Sequence, residues 1–126
     1  MPDFIGALSQ IGMPMPLLTG EELREVISVK MLSGDASRWA KQRIRQLSLD
    51  SRAIRAGDLF IAIRGDKFDG HDYVAMAMSR GAVGAIVQDN YVVPPSLLKA
   101  GPKSSPPFVL GVRDPLFAYQ QLATHH

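Results

Sequence analysis

Residues 47–88, LSLDSRAIRAGDLFIAIRGDKFDGHDYVAMAMSRGAVGAIVQ, decide the fold. Leu59 to Ile63 is an uncharged run of Leu, Phe, Ile, Ala and Ile, the composition of a strand buried on both faces of a parallel sheet. Leu47 to Leu49 predicts a shorter strand before it. Gly65-Asp66-Lys67-Phe68-Asp69-Gly70 carries two glycines, two carboxylates, a lysine and an aromatic, which suits a shaped loop rather than a regular element. From His71 to Arg80, Tyr73, Val74, Ala77 and Met78 fall on one helical stripe, and Gly81 stands where a left-handed cap belongs. Val83 to Val87 is a second apolar strand. The order is therefore strand, loop, helix, strand: a βαβ unit, whose crossover is right-handed in nearly all known cases.

In an open α/β sheet, ligands collect outside the carboxyl ends of the strands, and the 65–70 loop belongs there. Its glycines Gly65 and Gly70 let backbone approach a ligand, N–H groups opening the helix favour an anion, Lys67 adds a positive charge, and Phe68 offers a flat face to a ring. A nucleoside diphosphate has both parts. The G-x-x-x-x-G spacing superficially matches a phosphate-binding loop, but His71-Asp72 stands where Lys-[Ser/Thr] is required, so a triphosphate grip is excluded.

Asp50-Ser51-Arg52, Gly57-Asp58-Leu59-Phe60-Ile61-Ala62, Gly65 through Asp72, and Gly81-Ala82-Val83-Gly84-Ala85 follow, in order and spacing, the N-terminal domain of the Mur ligases of peptidoglycan assembly. The resemblance covers about residues 19 to 124. Within that family, Phe68-Asp69-Gly70-His71-Asp72 is most similar to the branch that adds D-alanyl-D-alanine to UDP-N-acetylmuramoyl-tripeptide, with the branch adding the third amino acid as the alternative. The resemblance implies an α/β fold with a small mixed, mainly parallel sheet, a βαβ unit and flanking helices. It also implies that Ser51 lies against the uridine diphosphate part of the precursor and that Asp66, Lys67 and Phe68 align with the uracil pocket. Asp66 departs from the histidine that some relatives carry there.

Read from the residues alone, Asp50-Ser51 is ordinary turn chemistry, and Arg52 either forks onto a phosphate or clamps Asp50 or Asp58. Ala56-Gly57-Asp58 is a connection. His71 at the helix start either touches phosphate or caps and packs; no nucleophile and carboxylate complete a catalytic set around it, so no catalytic residue is assigned. Asp69 and Asp72 are explained by the helix dipole, and Met76 and Met78 by core filling.

The 126 residues make one domain's worth of chain, long enough for a single core. With no cysteine, a disulfide framework and a thiolate metal site are both excluded. A net charge of +2 is an excess of two side chains and not a nucleic-acid field. Apolar runs are far shorter than the ~20 residues needed to span a bilayer, and the start lacks a basic region before its apolar residues. These features point to a cytoplasmic protein without membrane insertion.

Residues 1–18 show no period and predict a poorly ordered leader or a partner-binding tail, with the domain proper at 19–126. Thr19 with Glu22 predicts a capping box, and Leu23, Val26 and Ile27 the inner face of the helix behind it. Val29 to Leu32 predicts a short strand ended by Ser33-Gly34-Asp35. Arg38, Lys41, Arg43 and Arg45 around Trp39 admit an RNA surface, but no RNA-module signature accompanies them and a solvated face is the reading kept. Asp89 to Pro107, with five prolines, predicts a long connection with one short helix near Ser96 to Lys99. Phe108 to Val112 predicts a buried strand, and Asp114-Pro115 starts a helix whose Leu116, Tyr119 and Leu122 face the sheet. His125 and His126, adjacent in sequence, diverge around a helix and do not make a joint metal site.

The resemblance implies an ATP-dependent ligation in which a substrate carboxylate is phosphorylated and then attacked by an amine. The family's ATP loop is expected shortly after position 126, so no cofactor is expected in this chain, with ATP and Mg in a missing central domain. The chain is thus expected to be a substrate-anchoring first domain, inactive alone. Its partners are a UDP-N-acetylmuramoyl peptide and the central and C-terminal ligase domains. The reading from another class is a non-catalytic interaction or regulatory module of the same fold.

Overall fold

A computed structural model describes residues 18–99 and 106–124. The leader at 1–17, the end of the proline-rich connection at 100–105, and His125 and His126 lie outside them.

Leu18–Thr19 (β1) leads into α1 (Gly20–Val26), and the Thr19 capping box forms in full, with Glu22 N–H donating to Thr19 Oγ1 at 3.2 Å and Thr19 N–H to Glu22 Oε1 at 2.9 Å. Leu18, read as leader, pairs with Ile44 instead. After β2 (Lys30–Ser33) comes α2 (Ala36–Lys41), a helix the sequence reading missed; Asp35 caps it by accepting from Ser37 N–H at 2.9 Å. Then follow β3 (Arg43–Ile44), β4 (Leu47–Ser48), a 3-10 turn at Ser51–Ala53 and β5 (Leu59–Ile61). A second 3-10 turn (Gly70–Tyr73) runs into α3 (Val74–Ser79). The remaining elements are β6 (Gly84–Gln88), a 3-10 turn at Pro95–Lys99, β7 (Phe108–Val112) and α4 (Pro115–Ala123).

Five strands form one sheet in the order β2-β7-β6-β5-β4, parallel except for β2, which runs antiparallel to β7; β1 and β3 make a separate antiparallel pair. The α/β class, the mainly parallel sheet and the βαβ order are as expected. Alternation along the strands divides the core. Leu59, Ile61, Ile86, Phe108 and Leu110 pack against Leu23 of α1 and Ile27 just after it, Trp39 of α2, and Ala118 and Leu122 of α4. Phe60, Ala62, Ala85, Val87 and Val109 pack on the other face against Val74, Ala77 and Met78 of α3. The sheet is thus dry on both faces, which is why its strands read as continuous apolar runs.

Four expectations need correction. The helix foreseen from His71 begins as a 3-10 turn, because the Asp69 carbonyl accepts from Asp72 N–H at 3.1 Å and the Asp69 carboxylate holds His71 N–H at 3.0 Å. Tyr73, on that turn, stays partly exposed, and Met76 is 40% exposed and outside the core; Met78 is buried as foreseen. Leu116 is 47% exposed, and Ala118 takes its place beside Leu122. The solvated-face reading of the basic run holds for Lys41, Arg43 and Arg45, which are exposed, while within the run Trp39 is fully buried edge-on to Phe108, Arg38 lies 4.2 Å over that ring, and Arg45 pairs with Asp58. A buried indole has no face to stack on a base, which removes the RNA reading.

Gly81 adopts φ +107°, the left-handed cap foreseen after α3. Asp58, read as part of a mere connection, is fully buried. It accepts from Arg45 Nη1 at 2.7 Å and from Arg55 N–H at 2.9 Å, closing the turn that feeds β5.

Candidate functional site

Two turns meet beyond the carboxyl ends of β4 and β5, and both are built by aspartate caps. In the first, Asp50 Oδ1 accepts from Arg52 N–H at 2.9 Å and from Arg52 Nε at 3.3 Å. The backbone N–H of Arg52, helped by its guanidinium, holds the Asp50 carboxyl below its ordinary pKa. Of the two roles open to Arg52, the clamp on Asp50 forms, with the guanidinium still largely exposed. This winds Ser51 inward, where it is buried and its hydroxyl donates to Met76 Sδ at 3.6 Å.

The second turn is the loop after β5. It closes on itself: Arg64 and Asp69 form an antiparallel bridge, and Gly65 N–H donates to Phe68 O at 2.6 Å. The tip is therefore hairpin-like, a closure that composition does not reveal. Asp69 Oδ1 accepts from His71 N–H, and that bond, with the His71 ring and Arg64 adding to it, keeps Asp69 below its ordinary pKa against the opposing effect of burial. Gly70 sits flat on β5: its N–H donates to Ile63 O at 2.9 Å, and a side chain there would meet Ile63 N at 2.8 Å.

Between the turns runs an open groove of about 370 Å³ lined by Leu49, Asp50, Ser51, Arg52, Phe68, Tyr73 and Met76. Phe68 is 51% exposed and stacks on Tyr73, with ring centroids 5.2 Å apart and planes 14° from parallel. Tyr73 covers one side of the Phe68 ring and leaves the rest of it open. Leu49 and Met76 supply apolar wall, and Ser51 and Arg52 supply donors. Such a lining is chemically suited to a flat ring carrying polar substituents.

The residues singled out by sequence separate into three groups. Ser51, Arg52 and Phe68 come together in the groove. Asp66 and Lys67 stand exposed at the loop tip, outside its walls. Gly70 and His71 face elsewhere. Gly70 serves the packing of the loop on β5. His71 Nδ1 donates to Asp69 Oδ1 at 2.6 Å while Nε2 accepts from Gln88 N–H at 3.0 Å, so the ring bolts the loop to β6, as its capping and packing reading foresaw. Leu49, Tyr73 and Met76 were missed as groove residues. Tyr73 and Met76 stand three apart, and that spacing is the signal that could have put them on one side of the turn and helix.

Among the described residues no group of three His, Cys, Asp or Glu side chains is placed to hold a metal ion, and no helix is long and apolar enough to cross a membrane.

The family profile described as "Mur ligase family, catalytic domain" matches residues 43–123, nearly two thirds of the chain, from β3 to the end of α4. A 74-residue stretch is 39% identical to the UDP-N-acetylmuramoyl-L-alanyl-D-glutamate--2,6-diaminopimelate ligase of Geobacter sulfurreducens, covering 59% of this chain and 14% of that protein. A 67-residue stretch is 40% identical to the UDP-N-acetylmuramoyl-tripeptide--D-alanyl-D-alanine ligase of Synechocystis, covering 53% of this chain and 13% of the relative. The fold superposes on the crystal structure of MurF from Acinetobacter baumannii with a TM-score of 0.66 and 25% identity, over 87% of this chain and 21% of that one. The chain thus spans about a seventh to a fifth of the length of these proteins. With the profile running through both turns and the groove between them, the chain belongs to the Mur ligase family.

Proposed function

We propose that this domain anchors the uridine diphosphate end of a UDP-N-acetylmuramoyl peptide, as the first domain of an ATP-dependent ligase of peptidoglycan precursors. The observation that carries the reading is the open groove, in which a half-exposed Phe68 ring stands across from the inward-turned Ser51. The pyrimidine stacks on Phe68, the Ser51 hydroxyl exchanges its weak bond to Met76 sulfur for a ligand oxygen, and Arg52 lies near enough to the same wall to meet a phosphate. Asp66 and Lys67 at the tip fold toward the base edge, while Gly70 and His71 act behind the loop by fixing it. Binding at one end of a long substrate contributes through positioning: it brings the far carboxylate to an ATP and Mg site on the central domain, with the C-terminal domain supplying the amine. The same reading places the protein in the cytoplasm.

Titration of the chain with uridine and UDP, followed by amide shifts, tests this. The expected response centres on Ser51, Phe68, Tyr73 and Met76 with an affinity on the order of 1 mM, about −4 kcal/mol. Silence of those residues at saturating ligand refutes it and leaves the interaction-module reading.

Within the family we favour D-alanyl-D-alanine addition. The MurF structure of Acinetobacter baumannii overlies most of the chain, and Phe68-Asp69-Gly70-His71-Asp72 supports the same branch. The Geobacter sulfurreducens relative supports the second reading, addition of diaminopimelate. ADP release by the full-length gene product separates them: tripeptide precursor with D-alanyl-D-alanine elicits it in the first case, and dipeptide precursor with diaminopimelate in the second.

A further inference from the structure

Met76 is a methionine that core packing does not explain. Val74, Ala77 and Met78 of the same helix are fully buried, whereas Met76 is 40% exposed and lines the groove between the two turns. At a position open to solvent, a thioether gains little over leucine from its adaptable shape. It does have a specific partner. Ser51 is buried, its hydroxyl donates to Met76 Sδ at 3.6 Å, and that sulfur is the hydroxyl's one acceptor among the described residues. A thioether is a weak acceptor. The contact therefore leaves sulfur electron density free for reaction, and it aims a buried donor at the same atom. The other methionines among the described residues are placed differently: Met78 is fully buried in the core that α3 covers, and Met31 is partly buried against the opposite one.

We infer that Met76 is a modification site, at which a peroxide converts the thioether to the sulfoxide and thereby withdraws the Ser51 hydroxyl from ligand binding. A sulfur lone pair attacks one peroxide oxygen, the O–O bond breaks and an S–O bond forms. Sulfur loses two electrons to the departing hydroxide, which takes the proton of the attacked oxygen and leaves as water. The product is reversible, since each sulfoxide epimer has its own reductase. Its oxygen is a full acceptor carried on the atom that Ser51 already addresses, so the hydroxyl closes onto it in a bond of ordinary strength. A ligand oxygen must then displace that bond instead of the weak contact with sulfur. The core is untouched, because the Met76 side chain lies outside it. The effect on a ligand rests on the uridine reading; the oxidation of Met76 and the capture of Ser51 do not.

Dilute hydrogen peroxide applied to the 126-residue chain, followed by peptide mass spectrometry and amide-shift titration, tests the inference. Met76 is oxidised well ahead of Met78, the Ser51 amide moves, and UDP binding weakens about three- to tenfold, the worth of one neutral hydrogen bond. The reductases for both sulfoxide epimers restore the affinity. Met1, Met13 and Met15 lie outside the described residues, and Met76→Leu separates their part: peroxide leaves the UDP affinity of that variant at its own untreated value. Ser51→Ala separates capture of the hydroxyl from mere bulk, because oxidation of Met76 then no longer changes UDP affinity. Met76→Gln, which offers a carbonyl acceptor in place of the sulfoxide, weakens UDP without peroxide. Three results overturn the inference: Met76 oxidised no faster than Met78, a Ser51 amide unmoved once Met76 is oxidised, or the same peroxide-induced loss in Met76→Leu or Ser51→Ala as in the parent. A Ser51 shift on oxidation in a chain whose untreated form gives no UDP response upholds the modification site while refuting the uridine reading.

Discussion

Replacing Gly70 by alanine tests how the loop that carries Phe68 is held. The new methyl carbon meets three backbone atoms: Ile63 N at 2.8 Å, Ile63 O at 3.0 Å and Ala62 Cα at 3.1 Å. None is the yielding end of a side chain, and ordinary contact for such pairs begins several tenths of an ångström farther out. Relief therefore requires lifting the loop off β5, which stretches the 2.9 Å bond from Gly70 N–H to Ile63 O. Overpacking of this kind costs about 1–3 kcal/mol and loss of the bond about 1 kcal/mol more, so we expect destabilisation of about 2–4 kcal/mol. With a urea slope of about 1–3 kcal/mol/M, the unfolding midpoint falls by roughly 1–2 M. Gly65→Ala is the matched control: its methyl meets nothing closer than Phe68 O at 3.7 Å, and its stability stays within about 0.5 kcal/mol of the parent. Equal midpoints for Gly70→Ala and the parent refute the account of how the loop is seated.

Phe68→Ala removes a half-exposed ring that stacks on Tyr73, so it leaves the stability read by urea unfolding within about 0.5 kcal/mol of the parent while weakening uridine by about 1–3 kcal/mol of lost stacking, read by amide-shift titration. Asp58→Ala strands Arg55 N–H and Arg45 at the foot of β5; because Arg45 is 41% exposed the charge contribution is screened, and the expected loss is about 2–3 kcal/mol by urea unfolding. Asp69 has a folded pKa below the ordinary carboxyl value of 3.8, so its contribution is complete above that value and is lost as pH falls through the lower folded one. Acid titration of stability is accordingly shallower below pH 3.8 in Asp69→Asn than in the parent, and the stability difference between the two is full near neutrality and fades as pH falls.

Much of this was legible because local chemistry left few options. Leu59 to Ile63 and Phe108 to Val112 lack charge entirely, and only a sheet covered on both faces accommodates such runs. The Thr19 box, Gly81 and Asp114-Pro115 act within one turn of chain, so their meaning did not depend on tertiary surroundings. The helix at Ala36–Lys41 was missed because its single buried side chain, Trp39, sits among cations that read as a surface run. Leu116 and Met76 were misplaced for the opposite reason: apolar type suggested a core position, but helix phase, set by which neighbour the sheet contacts, turned each outward.

The candidate site divides along the same line. Sequence by itself determined that Ser51, Arg52 and Phe68 lie on turns following strands, because Asp caps and glycine-flanked loops are local signals with local causes. Which of the chosen residues share a groove was decided only by the tertiary structure. The hairpin bridge between Arg64 and Asp69 sends Phe68 to one side and leaves His71 locked to β6 on the other. That division depends on contacts between residues distant in sequence, such as Gln88 N–H with the His71 ring and Met76 with Ser51, and no spacing rule encodes them.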